Sequence, residues 1–382
     1  MEIHTVKSGD TIFSIADSYG ALPSYVSEVN EINKRTPLCE GEELLLLFPT
    51  RTHTVRDGDT LSSISMRFDT KKREIIRANP SLIGNEALEV GRVLSVKHNS
   101  EIFGTAVSNG YFYKGCSIEK LKRAIPYATY VTVCALAYTR SGFIKEFDDA
   151  PIVKYVKKET RIPIVRIYDK TSGEYLTSKD RMREFCDEII RIAREDGYSG
   201  VALCAYRAAE EHPEEFTEFL VEFRKRMIGS ELILFTEIDE LSNPDVAEYA
   251  DGSVLTYDKL SSASIPSFED GEKKVLSSFA NRSESSKIFI DVSSLATDGE
   301  KYMSTSEAIA IARKNGLKIE TDEKRGISKF KHQGRLVRFI SLGSIIKRLS
   351  LLSEYGYMGI SFDIMRVPLS YLMIYNAMFK TI

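Results

Sequence analysis

An internal repeat in the amino-terminal quarter of the 382-residue chain constrains the fold more than any other feature. The segment His4–Thr11 (HTVKSGDT) returns as His53–Thr60 (HTVRDGDT), and Asn30 returns as Asn79 at the same offset. Each copy predicts a strand, a Gly-Asp turn, an amphipathic helix, a second short helix and a closing strand. An aspartate and a threonine before an apolar run favour the start of a helix. We therefore expect two small α+β modules of βααβ order, at residues 1–49 and 51–98.

Beyond residue 100, short apolar segments rich in β-branched residues alternate with amphipathic helical stretches. Eight such strand–helix units favour an α/β (β/α)8 TIM barrel, expected at residues 101–382. The stretch from about 302 to 341 breaks this rhythm and predicts a small α+β insertion before the last strand. The eight strand candidates are 102–107, 131–138, 162–168, 201–206, 232–238, 253–257, 288–292 and 359–364.

Composition and charge argue against several kinds of partner and cofactor for this protein. The formal net charge of −3 gives no electrostatic reason to expect nucleic acid or an anionic membrane as partner. Five scattered cysteines form no disulfide framework, which favours synthesis in a reducing compartment. The amino terminus lacks the apolar core of a signal peptide, and no apolar run is long enough to span a membrane. The five histidines lack metal-ligand spacing, so we expect no metal and no cofactor.

The repeat resembles the LysM module. The resemblance is carried by HTVKSGDTIFSIADSYG, a following asparagine and a GEELLL strand, and the tandem copy strengthens it. It implies binding of N-acetylglucosamine-containing glycans, either peptidoglycan or chitin, in a groove between the Gly-Asp-Thr turn and the segment after the second helix. The alternative is that the turn residues only cap helices. The candidate glycan-binding residues are Gly9, Asp10, Thr11, Ile12 and Asn30 in the first copy and Gly58, Asp59, Thr60, Leu61, Asn79 and Ile83 in the second.

The barrel segment resembles glycoside hydrolase family 18. The motifs are SNGYFY at Ser108, ADGSVLTYDKL at Ala250 and YGYMGISFDIMRVP at Tyr355, together with the position of the insertion. Within the family, the chain is most similar to the LysM-bearing N-acetylglucosaminidases of bacterial spores, which act on cortex peptidoglycan fragments. The resemblance implies a TIM barrel whose chemistry lies on the fourth strand, in the pattern DGxDxDxE.

The matching run in this chain, GYSGVALCAY, has lost that pattern. Ser199 stands at the first aspartate, Ala202 and Cys204 at the next two polar positions, and Tyr206 at the catalytic glutamate. Family members use the substrate's own acetamido carbonyl as nucleophile, so the enzyme must supply a general acid and an orienting carboxylate. A phenol with a pKa near 10 is a poor acid at neutral pH. We expect the side chains of Ala202, Cys204 and Tyr206 to face inward and the barrel to be inactive.

Other candidate residues surround the predicted barrel mouth. The resemblance implies an acetamido contact for the tyrosine that ends the sixth strand, Tyr257. The chain has no tryptophan, so the family's aromatic floor is absent, and Phe362 or a tyrosine is the candidate substitute. We expect the Tyr206 hydroxyl to pair with Tyr257 or Asp363. The complete set of mouth candidates is Asn109, Tyr111, Tyr206, Tyr257, Asp258 and Asp363.

Three functions remain open from the sequence. The first is a non-catalytic glycan-binding protein, made inside the cell and deposited on a spore or cell wall. The second is an active N-acetylglucosaminidase whose acid the sequence does not reveal. The third is a structural spore-coat protein whose barrel binds coat or cell-wall proteins. The basic segment 324–335 is either a solvated hairpin of the insertion or a contact for an anionic cell-wall polymer.

Overall fold

A computed structural model describes residues 1–33, 36–85, 87–98, 103–239, 242, 244–257, 260, 265–292 and 295–381. They form two small amino-terminal modules, a closed barrel and an antiparallel sheet inserted into the barrel. No helix in the described part of the chain combines the length and apolar character that a membrane crossing requires.

Both modules have the predicted βααβ order, and each closes with an antiparallel strand pair. Their helices are too short to be stable alone, so packing on a separate apolar cluster in each module must hold them. The elements of the first are β1 (Glu2–Thr5), α1 (Ile12–Ser18), α2 (Pro23–Val29) and β2 (Glu43–Leu46), and those of the second are β3 (Pro49–Thr54), α3 (Leu61–Arg67), α4 (Lys72–Ala78) and β4 (Val93–His98).

The carboxy-terminal part of the chain forms a TIM barrel with alternating strands and helices. The elements before the insertion are β5 (Thr105–Phe112), α5 (Ile118–Ala124), β6 (Tyr130–Thr139), β7 (Gly142–Lys145), α6 (Ala150–Lys158), β8 (Ile162–Asp169), α7 (Lys179–Glu195), β9 (Gly200–Cys204), α8 (Tyr206–Glu211), α9 (Pro213–Met227), β10 (Ile233–Asp239), β11 (Gly252–Thr256), α10 (Lys274–Arg282) and β12 (Ile288–Asp291). Between β10 and β11 the chain makes a 3-10 turn, Pro244–Tyr249, instead of an α-helix.

The insertion and the end of the barrel follow β12. The insertion contains β13 (Leu295–Thr297), β14 (Tyr302–Ser304), α11 (Thr305–Lys314), β15 (Glu320–Asp322), β16 (Ile327–His332) and β17 (Arg335–Ile340), and the barrel ends with α12 (Leu342–Tyr355), β18 (Gly359–Asp363), α13 (Leu369–Met378) and β19 (Lys380–Thr381). The insertion sheet has the order β14-β13-β17-β16-β15. It begins before the predicted start at residue 302.

Eight parallel strands close the barrel in the order β5-β6-β8-β9-β10-β11-β12-β18, and the pairing of β5 with β6 completes the ring. Each predicted strand is present, but most ends are shifted, and the shift is largest in the first strand, which is predicted at 102–107 and spans Thr105–Phe112. The first strand continues through Phe112 because it pairs with both neighbours along this length, so Asn109 and Tyr111 lie inside it and not at its mouth. The fourth strand ends at Cys204, and Tyr206 already begins α8.

The first module is fixed to the insertion by backbone and side-chain contacts. The Ile319 amide donates a hydrogen bond to the Glu40 carbonyl at 2.8 Å. Nε of Arg313 lies 3.0 Å from Oε2 of Glu42, and the Glu42 side chain is almost fully buried. Cys39 packs inside the apolar cluster of the insertion. The module and the insertion therefore share one interior.

The second module is fixed to the barrel and to the first module. Nε of Arg77 donates to the carbonyl of Pro126 at 2.7 Å, and the Tyr127 hydroxyl donates to the Arg77 carbonyl at 2.8 Å. The Tyr25 hydroxyl of the first module donates to the Ala78 carbonyl at 3.0 Å. These contacts give the second module a defined position against the barrel.

The contact between the first module and the insertion predicts that a glycine-to-alanine substitution lowers the free energy of unfolding by different amounts in the two repeats. Gly41 and Gly91 occupy equivalent turns with φ of +82° and +87°, but only Gly41 faces another domain, where a Cβ would overlap the Ile319 carbonyl. We expect Gly91→Ala to lower the free energy of unfolding by about 1–2 kcal/mol through backbone strain. Gly41→Ala should cost roughly 1–3 kcal/mol more through overpacking. Calorimetric unfolding measures both, and equal effects would contradict the interface.

Candidate functional site

The aspartates of the two Gly-Asp-Thr turns brace the turns from inside. Oδ2 of Asp10 lies 2.8 Å from Nε2 of His4 and accepts a hydrogen bond at 2.7 Å from the Lys7 amide. Asp59 repeats the histidine contact with His53 at 2.7 Å. The Lys7 amide, and then His4, lower the pKa of Asp10, so this carboxylate stays ionised. The Asp10 carboxylate therefore makes its hydrogen bonds within its own module.

The threonines of these turns cap the helices that follow. Thr11 Oγ1 accepts a hydrogen bond from the Ser14 amide at 3.0 Å, and Ser14 Oγ accepts one from the Thr11 amide at 3.0 Å. Thr60 begins the first helix of the second module with the same capping box. Gly9 and Gly58 take φ of +85° and +79°, where other residues are strained. The threonine side chains and the glycines of these turns therefore have structural roles. The groups of the turns that remain for ligand contacts are those of the backbone.

The repeated asparagines tie a helix to a strand. Nδ2 of Asn30 donates to the carbonyls of Val26 and Leu45 at 2.9 and 2.8 Å, and its Oδ1 accepts from the Leu45 amide at 2.7 Å. Asn79 makes the same contacts with Ser95, at 2.7 and 2.8 Å. Both amides are therefore used inside their modules, and the structure does not bring them to the groove described next.

An open groove of about 370 Å³ lies on the first module, between the Gly-Asp-Thr turn and the segment after the second helix. Phe13 lines it with 62% of its surface exposed. The Ser27 hydroxyl is buried there and has no hydrogen-bond partner among the described residues. The sequence motif identified the first three lining residues and missed the others, which belong to no repeated pattern. The lining residues are Asp10, Thr11, Ile12, Phe13, Pro23, Ser24, Ser27, Thr36, Pro37 and Leu38.

The second module differs at the same places. Ser62 and Ile76 stand where the first module has Phe13 and Ser27. Ile76 packs against the apolar core of its module. The second module therefore has no aromatic ring at the first of these positions and no hydroxyl at the second. Three of the candidate glycan-binding residues pack into apolar clusters, Ile12 in the first module and Leu61 and Ile83 in the second.

The fourth barrel strand carries no acid on its inward face. Ser199 precedes β9, and Ala202 and Cys204 lie inside the barrel with 1% and 2% of their surface exposed. Ala205 leaves the strand conformation with φ −136° and ψ 43°, so Tyr206 stands at the first turn of α8. The expected inward direction of Ala202 and Cys204 agrees with the structure, whereas the strand is shorter than expected.

The Tyr206 hydroxyl nevertheless turns back into the barrel. It lies 3.4 Å from Oε2 of Glu237 and 3.5 Å from Oγ1 of Thr256. Burial, and then the negative charge of Glu237, raise the pKa of Tyr206 far above the usual tyrosine value. Asp363, one of the two expected partners, accepts hydrogen bonds within its own turn. Tyr257 follows β11 directly, and Asp258 lies outside the described residues.

A buried ion pair that the sequence analysis did not identify occupies the barrel interior. Nε and Nη2 of Arg166 donate to the two carboxylate oxygens of Glu237 at 2.5 and 2.8 Å. Nη2 also lies 2.8 Å from Sγ of Cys204. The side chains of Arg166 and Glu237 are 16% and 5% exposed. The sequence signal for this pair was one charged residue in the interior of each of two otherwise mostly apolar strands, IPIVRIYD and ILFTEID. The sequence-based interpretation relied on the family motif and did not use this signal.

The ion pair between Arg166 and Glu237 determines the protonation states of the titratable side chains around it. Burial alone would raise the pKa of Glu237, but the Arg166 guanidinium more than offsets it and holds that pKa below its usual value. Burial, and then the charge of Glu237, raise the pKa of the Cys204 thiol. At neutral pH the site therefore holds a carboxylate without a proton beside a phenol and a thiol that keep theirs. A proton donor of ordinary glutamic acid strength is missing from this group.

Two further polar groups of the interior form no well-aligned hydrogen bond with a described residue. Asn109 Oδ1 accepts a hydrogen bond from Thr132 Oγ1 at 2.8 Å, but its Nδ2 is buried without a hydrogen bond to a described residue. The Tyr111 hydroxyl is close enough to Glu237 to contribute to its lowered pKa, yet it completes no well-formed hydrogen bond with the described part of the chain. Tyr111 stacks on Tyr113, with ring centroids 6.0 Å apart.

The exposed aromatic ring at the mouth is Tyr168, not Phe362. Phe362 is fully buried in the core between the strands and the outer helices. Tyr168 ends β8 with 45% of its surface exposed, and Arg166 Cζ and Lys170 Nζ lie 5.6 and 6.0 Å from its ring centroid. Within the described residues, no group of three or more His, Cys, Asp or Glu is arranged to hold a metal ion.

Comparison with known proteins agrees with both halves of this architecture. Residues 4–46 and 53–97 match the LysM domain, so the two modules are LysM domains. The chain is 24% identical over 245 residues to the putative sporulation-specific glycosylase YdhD of Bacillus subtilis, covering 61% of this chain and 57% of that protein. It is 30% identical over 97 residues to the N-acetylmuramoyl-L-alanine amidase sle1 of Staphylococcus haemolyticus, covering 20% and 26%. The chain thus spans about half or less of these relatives.

Solved structures show the same fold. The spore cortex-lytic enzyme SleL of Bacillus cereus superposes with a TM-score of 0.77 at 21% identity, over 100% of this chain and 99% of that one. A chitinase of Chromobacterium violaceum gives 0.61 at 15% identity, over 72% and 99%. A family GH18 chitinase of Cycas revoluta gives 0.61 at 11% identity, over 71% and 99%. The barrel therefore has the fold of family 18 chitinases.

The buried ion pair predicts a large effect of removing one partner. We expect Glu237→Gln to lower the free energy of unfolding by about 3–5 kcal/mol, because it leaves the Arg166 charge buried and unpaired. The matched control is Glu146→Gln, which breaks an exposed 2.8 Å pair with Lys170 and should cost less than about 1 kcal/mol. Chemical denaturation measures both variants.

Acidification should remove the same contribution. Because folding lowers the pKa of Glu237 from its ordinary value of 4.5, its stabilisation is complete above that pH and is lost as the pH falls through the folded value. The stability difference between the wild type and Glu237→Gln should narrow below about pH 4.5. A variant as stable as the wild type at neutral pH would show that the pair does not hold the barrel.

Proposed function

We propose that this protein binds N-acetylglucosamine-containing glycan, peptidoglycan or a chitin-like polymer, through its LysM domains and does not hydrolyse it. The observation that carries this proposal is the barrel interior, where a phenol occupies the acid position and the nearby carboxylate is ionised and paired with Arg166. We place the protein on a spore or cell wall, in line with the names of its relatives, after synthesis inside the cell. Coat or cell-wall proteins are its possible protein partners.

The first module is the main glycan contact in this proposal. Its groove offers the exposed ring of Phe13, which suits stacking on a sugar face. The unpartnered Ser27 hydroxyl and the turn backbone supply hydrogen-bonding groups for an acetamido sugar. The second module lacks both side chains, so it serves as a weaker second contact on the same strand. Two contacts on one polymer raise the overall affinity through effective concentration.

The barrel acts as a scaffold because its groups do not match the family's reaction. Protonation of the leaving oxygen contributes roughly 10²–10⁴-fold to such reactions. Tyr206 holds its proton too tightly to be a good donor, and Glu237 has no proton to give at neutral pH. Ala202 and Cys204 provide no carboxylate to orient the substrate's acetamido group. An active N-acetylglucosaminidase and a structural spore-coat protein are the alternatives that the experiments below separate.

The catalytic prediction is an absence of turnover. We expect no release of sugar from chitotetraose or from cortex muropeptides across roughly pH 4–8, for the wild type or for Tyr206→Phe. Tyr206→Glu should not restore hydrolysis either, because the orienting carboxylate is also missing. Chromatography of the products after long incubation checks this. Turnover that survives Tyr206→Phe would mean that another residue is the acid, and turnover lost in that variant would make the tyrosine catalytic.

The binding prediction separates the two modules. We expect Phe13→Ala to weaken chitohexaose binding by the full chain about tenfold, as for a central aromatic contact. Ser62→Ala, at the equivalent position of the second module, is the matched control and should change the affinity by less than about twofold. Isothermal titration calorimetry measures both. A wild type that binds no chitohexaose would favour the structural-protein alternative.

A further inference from the structure

The insertion sheet has two faces of different character. Antiparallel residues that lie directly opposite each other point to the same side of a sheet. Phe330, Val337 and Phe339 point to one side and pack against α11 in the apolar cluster that also contains Cys39 of the first module. The opposite face is therefore free of α11.

That opposite face is rich in cationic side chains. One row of directly paired residues runs across all five strands in the order Tyr302, Thr297, Arg338, Lys329 and Glu320. The next pair along β16 and β17, Lys331 with Leu336, points to the same side. We call the surface formed by Lys329, Lys331, Arg338, Tyr302 and Leu336 the cationic face.

The charges of the cationic face are poorly neutralised. Neither Lys331 nor Arg338 forms an ion pair with a residue that the structure describes. Nζ of Lys329 is 3.9 Å from Oε2 of Glu320, at the limit of an ion pair. Nε of Arg338 is buried and has no hydrogen-bond partner within the described ranges.

The other arginines of the insertion are paired with carboxylates, whereas Lys301, Lys314 and Lys324 form no ion pair with a described residue. Arg325 Nη1 lies 2.8 Å from Oδ2 of Asp322, and Arg335 Nη2 lies 2.8 Å from Oε2 of Glu300. Arg313 is paired with Glu42 of the first module. Among the four arginines of the insertion, Arg338 alone forms no ion pair with a described residue, so its charge is not neutralised within the insertion.

The cationic face also exposes apolar surface. Tyr302 and Leu336 are 49% and 40% exposed. At one end of the same face, the paired residues Ile327 and Ile340 are buried in the main core of the barrel, so this end of the sheet is packed against the barrel. The sheet follows β12 in the chain and therefore rises from the carboxyl end of the barrel strands. An arginine and two lysines beside a tyrosine and a leucine match a ligand that carries carboxylates and small apolar groups.

We propose that the cationic face binds the stem-peptide carboxylates of peptidoglycan, so that the protein prefers peptidoglycan over neutral chitin. The inference rests on the proposed function, because the LysM domains hold the same polymer. Each exposed charge contact contributes little in water. A polymer that presents carboxylates at regular intervals adds such contacts to the LysM contact through effective concentration. The contribution should weaken with salt, since exposed charges are screened.

The test compares one charge-removing variant on two ligands. The variant carries Lys329→Gln, Lys331→Gln and Arg338→Gln in the full chain. The ligands are chitohexaose, which is neutral, and soluble uncross-linked peptidoglycan strands with free stem carboxylates, stripped of phosphate polymers. We expect unchanged chitohexaose affinity and about a tenfold loss of affinity for the peptidoglycan strands at low salt, given the modest strength of exposed ion pairs. The variant should also depend less on salt than the wild type.

A second variant controls for net charge. Lys122→Gln, Lys154→Gln and Lys225→Gln remove three positive charges from exposed positions on the barrel helices. This control should bind both ligands like the wild type. Circular dichroism and thermal unfolding confirm that both triple variants are folded.

The outcomes distinguish the inference from the proposed function. Equal peptidoglycan affinity of the cationic-face variant and the wild type would overturn the inference and leave LysM binding intact. A loss that appears only with walls that retain phosphate polymers would also overturn it, because the ligand would then be phosphate. A wild type that binds no chitohexaose would overturn the proposed LysM contact, whether or not the cationic face affects peptidoglycan binding.

Discussion

The ion pair between Arg166 and Glu237 determines what the barrel interior can do. The two residues lie on β8 and β10, and the guanidinium passes the thiol of Cys204 on the strand between them. The small side chains of Ala202 and Cys204 leave room for it. Acids on β9 would compete with Glu237 for the same cation. The absence of acids on β9 and the presence of the pair are thus parts of one arrangement, in which Arg166 balances the charge of Glu237 and this carboxylate carries no proton at neutral pH.

A second constraint fixes the position of the first LysM domain. Glu43 Oε2 accepts a hydrogen bond at 2.7 Å from the Leu342 amide at the start of α12, and Glu31 Oε2 accepts one at 2.9 Å from the Leu369 amide at the start of α13. Carboxylates are favoured at helix amino termini, where amides are unpaired. The two copies of the repeat differ at the residues that make these interdomain contacts. The first copy has Glu31, Glu40, Glu42 and Glu43 where the second has Pro80, Val90, Arg92 and Val93.

These two constraints are consistent with the proposed function, in which the protein holds a polymer and does not cut it. The groove of the first module offers a ring and hydrogen-bonding groups for neutral sugar. The cationic face offers charge for the acidic groups of the same polymer. Because the first module is packed against the insertion that carries this face, both surfaces keep a fixed spacing. In the proposed function the barrel joins the two surfaces and serves as their scaffold.

The sequence alone determined the local patterns. The repeat specified two βααβ modules, because the helix starts and turn glycines are local signals, and the alternation of apolar runs specified eight barrel strands. The absence of acids at Ala202, Cys204 and Tyr206 could also be read from the sequence, because the motif is one contiguous run, although Tyr206 lies in α8 and not on the strand. Tertiary structure alone decided the pairing of Arg166 with Glu237, which joins residues 71 positions apart. It also decided that Phe13 and Ser27 share a groove and that Asn30 and Asn79 do not face it. Such contacts depend on which strands become neighbours, and no local pattern encodes that.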